Sequence, residues 1–175
     1  MHYFILGPSG SGKTYVAENF AASIGALWLE ADLVYEDGMN ALGLRSEWDD
    51  FDKLRLYEPI CDEFDRRAKA KNLESVVLSL PGFPILTTAH AERAKSRARV
   101  TYLSGTPGQC LDSFLRREKA TGRNLDVSHW CANVHDFFER LERPEFKPLV
   151  ISNFNPDGSY RAFEAIFSDI KSTQK

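Results

Sequence analysis

The sequence predicts a three-layer α/β/α fold built on a five-stranded parallel sheet. Short apolar segments alternate along the chain with longer segments whose apolar residues recur every three or four positions. Short strands that alternate with helices in this way indicate a parallel sheet covered on both faces. The chain has 175 residues, 43% of them hydrophobic, which is enough for one domain with its own core. Since no repeat or linker interrupts it, we expect residues 1–175 to form a single domain.

Each element has its own local signal. Strands are expected where short apolar segments end at polar, glycine or proline residues, at 2–6, 26–30, 75–80, 99–103 and 148–152. Thr106 before Pro107 is typical of a helix N-cap with proline at the first helical position. Helices are expected after the first strand, at about 47–71, at about 87–97, from Pro107 onward, at 130–141 and at 160–170.

Composition and charge narrow the possible functions. The net charge of −3 argues against a dedicated nucleic-acid-binding protein, which usually carries a basic excess. Three scattered cysteines, Cys61, Cys110 and Cys131, lack metal-site spacing and stand among apolar residues, so we expect buried thiols in a reducing cytosol. No apolar run approaches the roughly 18 residues that span a bilayer. We therefore expect a cytoplasmic protein without a signal peptide or membrane segment, and the oligomeric state is left open.

A glycine-rich segment directly after the first strand carries the strongest functional signal. Residues 7–14 read GPSGSGKT and match the phosphate-binding loop, or Walker A motif. Glycines bring backbone N–H groups close to an anion, and the next helix adds its N-terminal dipole. Lys13 is expected to reach the β and γ phosphates of ATP, and Thr14 to bind Mg²⁺. The expected cofactor-binding residues here are Gly7, Pro8, Ser9, Gly10, Ser11, Gly12, Lys13, Thr14 and Tyr15.

Ligands of parallel α/β sheets bind beyond the carboxyl ends of the strands. The residues that follow the second to fifth strands are Glu30 and Asp32, Pro81 and Gly82, 104–106, and 153–157. The third strand ends without the aspartate that motor, transport and signalling ATPases usually place there. The acids stand instead after the second strand, so we expect them to face the phosphate loop across one crevice.

With this loop and the Glu30-Ala31-Asp32 acid pair, the chain resembles the small P-loop kinases. The resemblance is to the shikimate and gluconate kinase group over nearly the whole length, and more distantly to nucleoside monophosphate kinases. It implies that Asp32 contacts the acceptor hydroxyl and that Glu30 supports the Mg²⁺ shell. The glycine that this family carries after the third strand corresponds to Gly82. The family's mobile, arginine-rich lid corresponds to about 118–128, and its candidate arginines here are Arg116, Arg117 and Arg123.

The resemblance also places the adenine beside the loop after the fifth strand. Asn153 and Pro156 are the expected contacts there, together with Arg116 or Arg117 stacking on the base. Because Pro156 and Gly158 interrupt regular structure, we expect this loop to offer unpaired backbone groups to the base. Recognition by backbone would make Asn153→Ala nearly silent.

The expected activity is ATP-dependent, Mg²⁺-assisted phosphoryl transfer to a small molecule, with Lys13, Asp32, Arg117 and Arg123 as catalytic residues. Arg55 is a candidate for an anionic group of the acceptor. The sequence departs from shikimate kinases at Leu80-Pro81-Gly82, where they carry a glycine triplet, so no specificity transfers. Two alternatives stay open: a kinase of nucleotides or nucleic-acid ends, and a non-catalytic ATP-binding module.

Overall fold

A computed structural model describes residues 1–30, 62–81, 98–123, 126–144 and 146–172. These residues form one parallel sheet with strand order β2-β3-β1-β4-β5. The strands are β1 (His2–Gly7), β2 (Leu27–Glu30), β3 (Val76–Pro81), β4 (Ala98–Ser104) and β5 (Val150–Ser152). All five expected strands and the predicted α/β fold class are therefore confirmed.

The central position of β1 decides where the carboxyl ends of the strands meet. β1 pairs with β3 on one side, where Gly7 lies opposite Pro81, and with β4 on the other, where Leu6 lies opposite Tyr102. Ser104 of β4 in turn faces Ser152 of β5. The carboxyl ends of all five parallel strands lie along one edge of the sheet. The loop after β1 begins at the middle of that edge.

Helices cover both faces of the sheet. The helices are α1 (Lys13–Ile24), α2 (Pro107–Thr121), α3 (Val127–Leu141) and α4 (Phe163–Ser172), and residues 62–69 are also helical. The remainder of the long helix expected at 47–71 and the helix expected at 87–97 lie outside the described residues. In the described part of the chain, no helix combines the length and apolar character needed to cross a bilayer.

Alternation along β1 divides the core into two layers. Phe4 and Leu6 belong to a cluster with residues of the 62–69 segment, α2 and α3. Ile5 belongs to the opposite cluster, which α1 and α4 complete. Because successive strand side chains point to opposite faces, a continuous apolar strand must be covered twice, which produces the expected three layers.

The structure corrects three local expectations. Residues 148–149 belong to a 3-10 helix (Lys147–Leu149), since Pro148 cannot donate a ladder hydrogen bond, and β5 begins at Val150. Tyr160 precedes α4 and is not part of it. Cys110 is buried as expected, but Cys131 on α3 is exposed.

The segment predicted as a lid is shorter than its composition suggested. α2 continues through Glu118 to Thr121 and ends at Gly122, whose φ of 70° and backbone N–H complete a left-handed C-cap. α3 already begins at Val127. Only residues 122–126 therefore lie between the helices, because polar surface residues concealed helical structure at both ends of the predicted lid.

Candidate functional site

The loop between β1 and α1 has the shape that its glycines predict. Gly10 and Gly12 adopt φ angles of 87° and 80°, which favour glycine. Gly12 is the N-cap of α1, so the helix begins at Lys13 and its first N–H groups open toward the loop. This arrangement presents backbone donors and a positive helix end to one point, as an anion-binding site requires.

Two of the glycines are also required by close packing beneath the loop. A Cβ on Gly7 would lie 2.5 Å from the Leu103 carbonyl oxygen, and one on Gly10 would lie 1.9 Å from the Cys110 carbonyl oxygen. Burial raises the pKa of the Cys110 thiol to about 12, so this cysteine stays neutral and acts as an apolar support. The loop therefore rests directly on β4 and on the first turns of α2.

Thr14 and Glu30 come together at the start of α1 and the end of β2. The Thr14 hydroxyl donates to Glu30 Oε1 over 3.4 Å, and the Ser79 hydroxyl of β3 donates to Glu30 Oε2 over 2.8 Å. Trp28 Nε1 lies 3.2 Å from the same Ser79 oxygen and donates to it. One hydroxyl and one positioned carboxylate beside a phosphate loop form a donor set that suits Mg²⁺, which is often held by few protein ligands plus substrate phosphates.

The described residues contain no cluster of three or more metal-binding side chains. The described residues therefore do not form a metal site made of protein ligands alone. The Thr14–Glu30 pair fits an ion that arrives with its phosphates.

A cavity of about 470 Å³ opens over the loop and continues along α1. Its volume lies within the range of small-ligand sites. The loop and α1 contribute Gly10, Gly12, Lys13, Thr14, Tyr15 and Val16. Three residues of α2 and four from the region after β5 complete the lining: Ser113, Arg116, Arg117, Asn153, Tyr160, Arg161 and Phe163. The cavity thus joins the glycine-rich loop to a wall of arginine and aromatic side chains.

Two of the three predicted lid arginines are held on one buried carboxylate, that of Glu118. Glu118 is 2% exposed, and its Oε1 accepts from Arg117 Nη2 over 2.7 Å and lies 3.1 Å from Arg123 Nη2. The other oxygen, Oε2, is buried without a hydrogen-bond partner among the described residues. Arg117 also lies over the Phe114 ring, 5.3 Å from its centroid. Arg117 and Arg123 are therefore brought together, although only Arg117 belongs to the cavity lining.

The loop after β5 differs from expectation because its backbone is already hydrogen-bonded. Asn155 N–H donates to Ser159 O, Gly158 N–H to Asn155 O, and Arg161 N–H to Asn153 O. Asn153 is buried, and its Nδ2 donates to Ser11 O of the phosphate loop over 2.7 Å. The loop therefore does not offer the free backbone groups that were expected. Because the Asn153 amide is buried and bonded to Ser11 O, we now expect Asn153→Ala to have an effect.

Other candidate residues are distributed as follows. Pro8 is buried, and Ser11 is buried with its hydroxyl turned toward Gly7, so Ser11 can offer a ligand only its backbone. Pro156 lines a second groove, between the start of α2 and the loop after β5. Asp32, Arg55 and Gly82 lie outside the described residues.

Four contributors were missed by sequence reasoning. Tyr160 and Phe163 fit a helical apolar face, yet Tyr160 is 50% exposed at the cavity, where its ring stacks on Phe154. Glu118 stood in the segment predicted as a lid. Trp130 stood at the start of the helix expected at 130–141, and its Nε1 donates to the Ser9 carbonyl oxygen of the loop. The glycine at 158 was the available signal for Tyr160, because a turn there separates it from the helix.

Comparison with solved structures supports the fold. A gluconokinase from Sinorhizobium meliloti 1021 is similar with a TM-score of 0.54 and 17% identity, over 99% of this chain and 91% of that one. The shikimate kinase from Acinetobacter baumannii in complex with shikimate gives 0.52 and 19%, over 97% and 90%. A shikimate kinase from Bacteroides thetaiotaomicron gives 0.53 and 20%, over 99% and 96%. No protein-family model matches the sequence, and no curated protein is detectably similar to it.

Proposed function

We propose that this protein is an ATP-dependent kinase that transfers a phosphoryl group to a small-molecule acceptor. The observation that carries the proposal is the single cavity in which the phosphate loop, with Lys13 and Thr14, faces Arg116 and Arg117 of α2. Phosphoryl transfer needs alignment and neutralisation of charge more than covalent help, and this cavity supplies cationic groups at two sides. The fold shared with gluconate and shikimate kinase structures supports the same reaction class.

The nucleotide side of the reaction follows from the loop. The N–H groups of the loop and of the α1 N-terminus bind the phosphates, and the Lys13 ammonium offsets charge on the β and γ groups. Thr14 and Glu30 would hold Mg²⁺, which supplies further neutralisation of phosphate charge when bound. The aromatic side chains of Tyr15, Tyr160 and Phe163 provide a surface for the nucleoside at the far end of the cavity.

The acceptor side is proposed from the resemblance. Asp32 orients the acceptor hydroxyl and takes its proton as the oxygen bonds to the γ phosphorus and the bond to ADP breaks. Gly82 and Arg55 contact the rest of the acceptor. The predicted lid, with Arg117 and Arg123, closes over the transferring group and excludes water, a competing acceptor.

Glu30→Gln is expected to raise the Mg²⁺ concentration for half-maximal turnover by about tenfold or more, because the carboxylate beside Thr14 loses its charge. The measurement is turnover against free Mg²⁺ at fixed ATP. Glu18→Gln, on the exposed side of α1, is the matched control and should leave the curve unchanged. An unchanged Mg²⁺ curve for Glu30→Gln would remove Glu30 from the metal site.

Alanine substitutions of Arg116 and Arg117, the two arginines that line the cavity, are expected to have different effects on binding and on turnover. Both arginines are exposed, but Arg117 is bound to Glu118 and placed over the Phe114 ring, whereas Arg116 Nε donates to the Asp112 carbonyl oxygen over 3.3 Å. Arg116→Ala should weaken ATP and GTP binding alike by about 0.5–2 kcal/mol, the range of a cation–π contact with the base. Arg117→Ala should mainly lower kcat. Calorimetric titration of both nucleotides checks the first effect, and equal affinities in parent and Arg116→Ala would place the base elsewhere.

ATP turnover with and without a panel of acceptors tests the activity itself. The panel holds polyhydroxy acids, sugars, nucleotides and 5′-hydroxyl oligonucleotides. A rise in turnover with a small hydroxylated molecule supports the proposal. A rise only with nucleotides or oligonucleotides indicates the second kind of kinase, and turnover that stays flat with tight ATP binding indicates a non-catalytic module.

A further inference from the structure

Two buried side chains donate hydrogen bonds to the phosphate loop from outside it. Trp130, in the first turn of α3, donates from Nε1 to the carbonyl oxygen of Ser9 over 2.9 Å. Asn153, directly after β5, donates from Nδ2 to the carbonyl oxygen of Ser11 over 2.7 Å. These side chains are 6% and 2% exposed. The Asn153 bond is buried, and the Trp130 bond is partly buried. The loop is thus held by groups 121 and 142 residues away in the sequence.

The two acceptors are the carbonyls that precede the positive-φ glycines. In a trans peptide the C=O and the following N–H point in opposite directions, and the described residues contain no cis peptide. A hydrogen bond to Ser9 O therefore also sets the direction of the Gly10 N–H, and a bond to Ser11 O sets that of Gly12. A peptide next to glycine rotates at little steric cost. The Ser9–Gly10 and Ser11–Gly12 peptides therefore depend most on a hydrogen bond from outside the loop to fix their orientation.

The contacts around Asn153 and Trp130 direct both donors at the loop. A Cβ on Gly12 would lie 2.6 Å from Asn153 Nδ2, so the amide reaches Ser11 O only because Gly12 has no side chain. The Trp130 ring packs beside Phe138 in the core, which leaves its N–H directed at the loop. Trp130 is not part of the cavity lining. It acts on a bound phosphate only through the loop.

We propose that Trp130 and Asn153 are positioning residues that hold the phosphate loop in its anion-binding shape before a ligand arrives. This inference rests on the proposed function, in which the loop binds the phosphates of a nucleotide. The loop amides then reorganise little on binding, which lowers the free-energy cost of binding.

Trp130→Phe keeps an aromatic ring and removes the donor. Its affinity for inorganic tripolyphosphate, a probe with no base or ribose, should fall about two- to tenfold, the change expected when one buried hydrogen bond is lost. Phe138→Leu, which disturbs the packing of Trp130 but leaves its N–H, is the control for lost stability. Asn153→Ala should show a similar loss, and Asn155→Ala, which removes an amide that donates to Ser159 and Tyr160 in the same loop, should not.

A second readout needs no ligand. Amide exchange of Gly10 and Gly12, measured by NMR, should be faster in Trp130→Phe and Asn153→Ala than in the two controls. If the parent binds tripolyphosphate and both variants match it in affinity and exchange, the inference is wrong while the proposed function stands. If the parent binds neither tripolyphosphate nor ATP, the proposed function fails and this inference fails with it.

Discussion

Lys13→Ala is expected to lower ATP turnover by about a hundredfold or more and to weaken ATP binding sharply. Lys13 is the first residue of α1 and lines the cavity beside the glycine loop. Removing its ammonium leaves phosphate charge without its principal cationic partner, and loss of a single preorganised donor costs about 10²–10³ in rate. Steady-state kinetics and calorimetric titration measure the two effects.

The control for this prediction is another lysine. Lys171, exposed in the last turn of α4, should tolerate alanine with unchanged kinetics. The thermal midpoint of Lys13→Ala should stay near that of the parent, because the predicted loss concerns the site and not the core. A Lys13→Ala protein that binds and turns over ATP like the parent would contradict the phosphate-loop assignment.

Gly10→Ala is expected to destabilise the protein far more than Gly25→Ala. Both glycines have positive φ angles, 87° and 65°, so alanine is strained at either position by about 1–2 kcal/mol. At Gly25 a Cβ would meet nothing within 4 Å, whereas at Gly10 it would lie 1.9 Å from the Cys110 backbone oxygen. Helix α2 must then move away from the loop, and such overpacking adds about 1–3 kcal/mol.

Urea unfolding of the two variants measures this difference directly. The expected losses in the free energy of unfolding are about 2–5 kcal/mol for Gly10→Ala and about 1–2 kcal/mol for Gly25→Ala. Gly10→Ala should also lose ATP affinity, since the loop amides shift with the backbone. Equal losses of stability at the two positions would show that the contact with α2 contributes nothing.

The sequence predicted the strands and the phosphate loop because their signals are local. A run of apolar residues between turn residues needs both faces covered wherever it lies in the sheet, so residues 75–80 were recognised as a strand without knowledge of their neighbours. The glycine loop is defined by its own backbone geometry, which Gly10 and Gly12 adopt as expected. The position of Glu30 was predictable for a similar reason. It ends β2, and ligands of parallel α/β sheets bind beyond the carboxyl ends of the strands.

Local signals failed where a residue serves a distant element. The apolar spacing of Tyr160 suited a helix, but the chain turns at Gly158 and pairs Tyr160 with Phe154. The polar composition around Glu118 suited a loop, yet the carboxylate is buried beneath two arginines at the end of α2. Periodicity records how often apolar residues recur, and it carries no information about which polar group a neighbouring element supplies.

By itself, the sequence determined an α/β sheet and the backbone shape of the glycine-rich loop. Both depend on the steric freedom of glycine and on the burial of alternate strand side chains, which act over a few residues. Only the tertiary structure decided how that loop is held. Trp130 and Asn153 reach Ser9 and Ser11 across more than a hundred residues, because the sheet places β4 next to β1 and β5 next to β4, and α3 packs over the same face. Such hydrogen bonds require two distant segments to be positioned to within ångströms, and that precision arises only from the packed fold.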